Sequence, residues 1–288
     1  MPLIVRELAD DEYSQWDELA SVSPQRTIFA QRWWMETVTR GQGRLLGCYD
    51  GERLVAGLPI WPCRRLGVRR LRQPPLTPYW GPLLRPLEGK PLTRASTRMQ
   101  ILQALAEALT PWPDIVMQWH HSLDNWIPFY WNGFTQTTRY TYRYPDLSDL
   151  TKLAKNREST IGQKLRRAER DGLHLEEMID PVVAARLNRL SMARQGVESS
   201  EEIQQFWPEL AREALARQCL FTTGVVDDEG NMHSAAAMVW DERCAYGILS
   251  GADPRYRNSC SGPLMMWRQI EYAANVYNGT NFLSHYLR

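Results

Sequence analysis

The chain of 288 residues has no Cys-x-x-Cys pair; its five cysteines stand apart at 48, 63, 219, 244 and 260. An odd, dispersed set argues against a disulfide framework and reads as reduced thiols of a cytoplasmic protein. Histidine is scarce, and no histidine sits near a cysteine or acid at ligand spacing, so no metal is expected. No apolar run is long enough to cross a bilayer, and Arg6 and Glu7 bring charge too early for a signal peptide. The net charge of +1 provides no global field to attract nucleic acid or anionic lipid. A Gly-x-Ser-x-Gly elbow is missing, and no cysteine has a sequence partner that marks it as a nucleophile.

What is abundant is aromatic: twelve Trp and twelve Tyr, enough to fill cores and still line a cleft. Periodicity divides the chain into two halves of similar plan. In the first, a strand over 3–8 precedes a helix capped by Asp10-Asp11 and a second helix over 30–40. The run GCYDGERLVAGLPIW then reads as a hairpin turning at Asp50-Gly51. Loops and short strands fill 62–95, a helix follows over 96–109, and strands are expected over 115–119 and 140–144. In the second half, a basic helix over 149–171 ends at Gly172. Helices over 181–195 and 200–217 follow, the latter opened by the capping-box pair Ser199 and Glu202. Strands over 221–226, 233–240 and 244–250 lead to a helix over 262–277. The second hairpin, GVVDDEGNMHSAAAMVW, echoes the first in its acidic-Gly turn and terminal Trp, as a duplication would.

Three features carry candidate chemistry. Between the last long strand and the last helix lies Arg255-Tyr256-Arg257-Asn258-Ser259-Cys260-Ser261-Gly262. Small residues at a helix start let a phosphate approach free N–H groups, and the arginines add forked positive charge. A plain strand–helix connection would look the same. The second feature is the basic helix, with seven basic and two acidic residues over 152–170. Lys164, Arg166 and Arg167 make it an anion platform or a solvated face. The third is the stiff loop Pro74–Pro82, where Tyr79 and Trp80 line a substrate cleft or seal a core, next to the arginine run 64–72. Asp253, His233 and Tyr246 are loose candidates for a base.

The segments SLDNWIPFYWNGFTQTTRYTYRYPDLSDL, IGQKLRRAERDGL and ILSGADPRYRNSCSGPLMMWRQIEYA resemble the FemAB-like and CelD-like branch of the GNAT acyltransferases. TIFAQRWWMETV and PLTPYWGPLL fit the same pattern. The resemblance implies an α/β (α+β) fold of two tandem GNAT-like domains, 1–144 and 145–288, with mixed sheets flanked by helices. It implies acyl transfer from acetyl-CoA or another acyl-CoA to an amine on a sugar or a cell-envelope polysaccharide precursor. The family's carrier pattern, Q/R-x-x-G-x-G/A, maps onto Arg257 to Gly262, with Cys260 in place of the first glycine. It also raises the weight on Lys164, Arg166 and Arg167. The family's F-D-F-E-G-S strand after the last helix is replaced by Asn278–Arg288, so a truncated second sheet with an exposed edge is expected. Two alternatives stand beside acyl-CoA chemistry: an aminoacyl-tRNA-dependent Fem-type transferase, and a non-catalytic binding relative.

Overall fold

A computed structural model describes residues 2–196 and 201–277, with backbone only at 277 and over 281–284. The chain divides into two compact units, Met1–Arg139 and Tyr140–Arg288.

The first unit contains β1 (Ile4–Glu7), α1 (Tyr13–Val22), α2 (Arg32–Thr39), β2 (Arg44–Asp50), β3 (Arg53–Ile60), β4 (Pro62–Arg65), β5 (Val68–Leu71), β6 (Leu83–Leu84), α3 (Pro91–Leu109), β7 (Asp114–Ile115) and α4 (Ile127–Trp131). Its main sheet runs β1-β2-β3-β6. Cys48, Ala56, Leu58 and Ile60 pack against Ile101, Leu102, Leu105 and Leu109 of α3. On β3, Gly57 leaves room for Trp16 and Leu19 of α1, since a Cβ there would lie 2.7 Å from the indole. Both faces of the β2–β3 hairpin are thereby covered, which is why its strands read as apolar runs. Asp10–Glu12 forms a separate 3₁₀ turn before α1. Helix α3 starts five residues earlier than the periodicity suggests, with Pro91 in its first turn. Of the strand expected over 115–119, only Ile115 falls within a strand, β7, which pairs with β5. The arginine run 64–72 folds as the hairpin β4–β5, where Arg70 pairs with Asp114 at 3.1 Å.

The second unit contains β8 (Tyr142–Tyr144), α5 (Leu150–Asn156), α6 (Ser159–Arg170), β9 (His174–Glu177), α7 (Pro181–Arg194), α8 (Glu201–Ala216), β10 (Leu220–Val226), β11 (Met232–Trp240), β12 (Cys244–Ala252), α9 (Ser261–Tyr277) and β13 (Asn281–Ser284). Its sheet runs β8-β13-β12-β11-β10-β9. Phe221, Met238 and Ala245 pack on Ile270 and Ala273 of α9, while α7 lies along β11 and β12. The two hairpins correspond closely. Each breaks register just before its acidic turn, between Cys48 and Tyr49 in one and between Val225 and Val226 in the other.

Three expectations are corrected in this unit. The basic helix is two helices, because Arg157 is extended at φ −67°, ψ 151°. Leu150 and Leu153 of α5 belong to the cluster around Phe221, whereas Leu165 and Ala168 of α6 belong to the one around Val225. One straight helix cannot present both sets. The edge expected to be bare, that of β12, is covered: β13 pairs with β12 in parallel, and β8 adds antiparallel to β13. Strand β8 therefore belongs to the second unit's sheet. The Ser199 cap lies outside the described residues, as do 278–280 and 285–288.

Candidate functional site

Strand β12 ends where the chain must turn toward α9, and the turn is built on one carboxylate. Asp253 is 4% exposed. Its Oδ1 accepts from the Arg255 backbone N–H at 2.9 Å, capping the 3₁₀ turn Pro254–Tyr256. Its Oδ2 accepts from Arg255 Nη2 at 2.8 Å, and Nε reaches both oxygens at 3.1 and 3.2 Å. The guanidinium holds the Asp253 carboxyl below the usual carboxylate range. Arg255, expected to meet a phosphate, is paired with Asp253.

The remaining residues of the turn leave an open helix start. Arg257 and Asn258 are exposed, and Arg257 has no ion pair among the described residues. Ser259 donates its N–H to Tyr256 O at 2.9 Å, and its buried Oγ has no partner. Cys260 sits at φ +58°, the left-handed region that glycine enters most easily. The chain thus keeps a glycine-like backbone here although the glycine of the carrier pattern is gone. Ser261 begins α9, and a Cβ on Gly262 would meet nothing within 4 Å. A 17-residue helix presents unpaired N–H groups and positive dipole character at such an end, although Pro263 contributes no donor.

Tyr256 is seated from below. Its ring stacks on His233, with centroids 4.0 Å apart and planes 8° from parallel. His233 is 6% exposed and its Nε2 lies 3.0 Å from Asp227 Oδ2. Asp227 also accepts from the side chain and backbone of Asn231, the main causes that depress its carboxyl. His233 Nδ1 is buried without a partner. His233 and Asp253, the two base candidates nearest the turn, are thus both in contact with it. Tyr246, 3% exposed, donates its hydroxyl to Asp241 Oδ2 at 3.1 Å. Burial pushes the Cys48 and Cys219 thiols up to about 11 and Cys244 to about 12, so none of these three is a nucleophile near neutral pH. Among the described residues no group of three or more His, Cys, Asp or Glu is placed to hold a metal.

The other expected residues are scattered. Lys164, Arg166 and Arg167 are exposed on α6; Arg167 is engaged by Asp171 at 3.3 Å, while Arg166 lines a cleft between α6 and α9. Gly162, also on α6, has only the far ends of Arg157 and Arg166 near a would-be Cβ, at 3.5 Å or more. Gly162→Ala is therefore expected to stabilise the fold by about 1 kcal/mol through helix propensity, read as a higher Tm. Trp80, in the first unit, is 2% exposed and buried in that unit's interior, so it offers no surface to a substrate. Tyr79 lies 5.0 Å from the His120 ring and 6.2 Å from Phe29. The void beside it is about 10 Å³, room for one water rather than a sugar. Arg157, Gly162 and Trp267 line the same cleft; Arg157 was read only as part of the basic run, which hid the break there, and the other two were not singled out.

Residues 155–281 match the acetyltransferase (GNAT) domain. The matched stretch lies within the second unit and includes α9. Such a domain supports acyl transfer. No curated protein matches the chain. Among solved structures, FemX aligns with a TM-score of 0.63 at 11% identity, over 97% of this chain and 88% of its own. A tandem GNAT protein from the clavulanic acid biosynthesis pathway aligns at 0.54 and 13%, over 98% and 89%. A conserved protein of unknown function from Bacteroides thetaiotaomicron aligns at 0.53 and 10%, over 97% and 89%. At such identities the likeness is one of fold, and the fold is that of tandem GNAT proteins. No helix among the described residues is long and apolar enough to cross a membrane.

Proposed function

We propose that the chain is an N-acyltransferase that moves an acyl group from acyl-CoA to an amine of a sugar or cell-envelope precursor, in the cytoplasm. The observation that carries this reading is the open start of α9 in the GNAT unit, where Gly262 has free space and Arg257 is exposed without an ion pair. Backbone N–H groups at Ser261 and Gly262, with Arg257, would hold the diphosphate of the carrier. Asp253, Arg255 and His233 keep the turn in shape. The chemistry needs no covalent nucleophile: a neutral amine attacks the thioester carbonyl, the C–N bond forms, the C–S bond breaks, and the amine proton leaves to a base or water. Lys164 and Arg166 are the residues we assign to an acidic or phosphorylated part of the acceptor.

A thermal shift with CoA or acetyl-CoA tests the reading. Ligand at about a hundred times its Kd stabilises by about 2.7 kcal/mol, so a clear rise in Tm is expected. Arg257→Ala is expected to weaken CoA binding about tenfold, the scale of one charge-assisted hydrogen bond, with Tm of the free protein unchanged. Well-folded protein that does not respond to any acyl-CoA would sink the proposal. The basic character of α6 and of the β4–β5 hairpin favours a second reading, an aminoacyl-tRNA donor. Stabilisation by charged tRNA, lost with rising salt, would move the chain to that class. Response to neither donor would mark a non-catalytic relative.

A further inference from the structure

Between α6 and α9 opens a cleft of about 330 Å³. Two guanidinium groups converge at its rim over a glycine. A Cβ on Gly162 would lie 3.5 Å from Arg157 Nε, 3.6 Å from Arg157 Nη2 and 3.7 Å from Arg166 Nη1. Neither arginine has a carboxylate at ion-pair distance among the described residues. Arg157 is held in place by Trp267, its guanidinium carbon 5.0 Å above the ring centre.

The opposite wall is electrically quiet. Arg268 is paired with Glu177 at 2.5 Å and with Glu271 at 3.4 Å, and Glu271 also accepts from Trp267 Nε1 at 2.7 Å. Glu169 is the remaining carboxylate of the lining, and it disfavours an anion at its own end. The floor is apolar, with Leu165, Leu175 and Leu264. Cys260 packs against the cluster that holds Leu165 and Leu264, so the cleft adjoins the turn before α9.

Two like charges fixed near one point repel each other. An anion between them replaces that repulsion with two charge-assisted contacts, and a missing side chain at Gly162 leaves it room. An apolar floor beside a charged rim asks for a ligand with both parts. We propose that this cleft binds an organic anion whose phosphate or carboxylate sits between Arg157 and Arg166 over Gly162, its apolar or ring body lying along Leu165, Leu264 and Trp267. As a binding site it stands on its own geometry; as the acceptor site it rests on the acyl-transfer reading.

The experiment is calorimetric titration of the full chain with phenyl phosphate, benzoate and inorganic phosphate. Phenyl phosphate or benzoate is expected to bind at least about tenfold more tightly than inorganic phosphate, because only they bury apolar surface. Whichever binds better names the head group. Arg157→Ala and Arg166→Ala are each expected to weaken binding about tenfold, and Gly162→Leu to abolish it. Arg170→Ala, which removes the same charge from α6 outside the cleft, is expected to change nothing. The proposal is overturned by absence of saturable binding at millimolar probe, by equal affinity for inorganic phosphate, or by equal losses in Arg170→Ala. Displacement of the probe by CoA would also overturn it, since the cleft would then belong to the donor. The two readings fail separately: probe binding without any CoA response sinks only the acyl-transfer reading, and CoA binding with an inert cleft sinks only this one.

Discussion

Gly251→Ala is expected to cost the second unit about 3 kcal/mol or more, at the upper end of overpacking penalties, and to leave it poorly folded near body temperature. A Cβ at this position on β12 would lie 2.2 Å from Asn188 N, 2.2 Å from Leu187 C and 2.3 Å from Leu187 O. All three are backbone atoms, so no rotamer change relieves the clash and α7 must move as a body. That movement strains three hydrogen bonds between helix and strand: Asn188 Nδ2 to Ser250 O at 2.9 Å, Ser191 Oγ to Ala252 O at 3.1 Å, and Ala252 N–H to Ser191 Oγ at 2.9 Å. Other crowded glycines differ in kind. Gly224 faces the flexible end of Met232 at 2.6 Å, and the Gly224→Ala change should be milder. Chemical denaturation of the two variants checks the contrast; equal and small losses would mean that α7 and β12 are not packed as closely as described.

Asp253→Ala is the second large effect, and it falls on function as well as stability. The substitution removes the cap of the Pro254–Tyr256 turn and both oxygens that hold Arg255. Loss of a cap costs roughly 0.5–2 kcal/mol. Arg255 is largely exposed, with 74% of its side chain open to water, so its released charge adds little to that cost. The turn that shapes the start of α9 loosens, and CoA affinity is expected to fall about tenfold even though Asp253 itself faces the protein. Asp253→Asn keeps an oxygen for the cap but not the charge, and should lie between the two. A full loss of affinity in Asn as in Ala would place the effect in the Arg255 pair; an unchanged affinity in both would remove the turn from the carrier site.

The same carboxylate sets a pH dependence. Arg255 depresses the folded-state pKa of Asp253, and Asn231 and His233 depress that of Asp227. A carboxylate depressed in the folded state adds stability above its unfolded pKa, about 3.9 for Asp, and loses it as pH falls through the folded value. The second unit is therefore expected to hold its Tm from neutrality to about pH 5 and to lose stability increasingly below about pH 4. Asp253→Asn should flatten part of that fall.

How much of this was legible beforehand differs from element to element. The β2–β3 hairpin was plain, because Asp50-Gly51 between two apolar runs is a local turn signal, and Gly51 indeed takes φ +60°. Strand β9 was not: His174–Glu177 is mostly exposed at the edge of its sheet, with no alternation to read. The break at Arg157 was illegible for a different reason. Its cause is that α5 and α6 serve separate apolar clusters, and clusters are tertiary facts. Trp80 could be read either as a wall of a cleft or as core, and only its burial decided for core.

The Arg255–Gly262 turn divides along the same line. Local sequence determined its place between a strand and a helix, its small residues and its two arginines, since these follow from nearest-neighbour chemistry. The Arg255–Asp253 pair is itself local, two residues apart and closed within one 3₁₀ turn; tertiary structure decided that Arg257 stays exposed with no ion pair among the described residues. It decided that Cys260 adopts a left-handed backbone, φ +58°, while packing against the cluster that holds Leu165 and Leu264. It also decided that Arg157, at the break before α6, and Arg166, nine residues later on α6, converge over Gly162: a helix break sets distances that spacing along the chain does not encode.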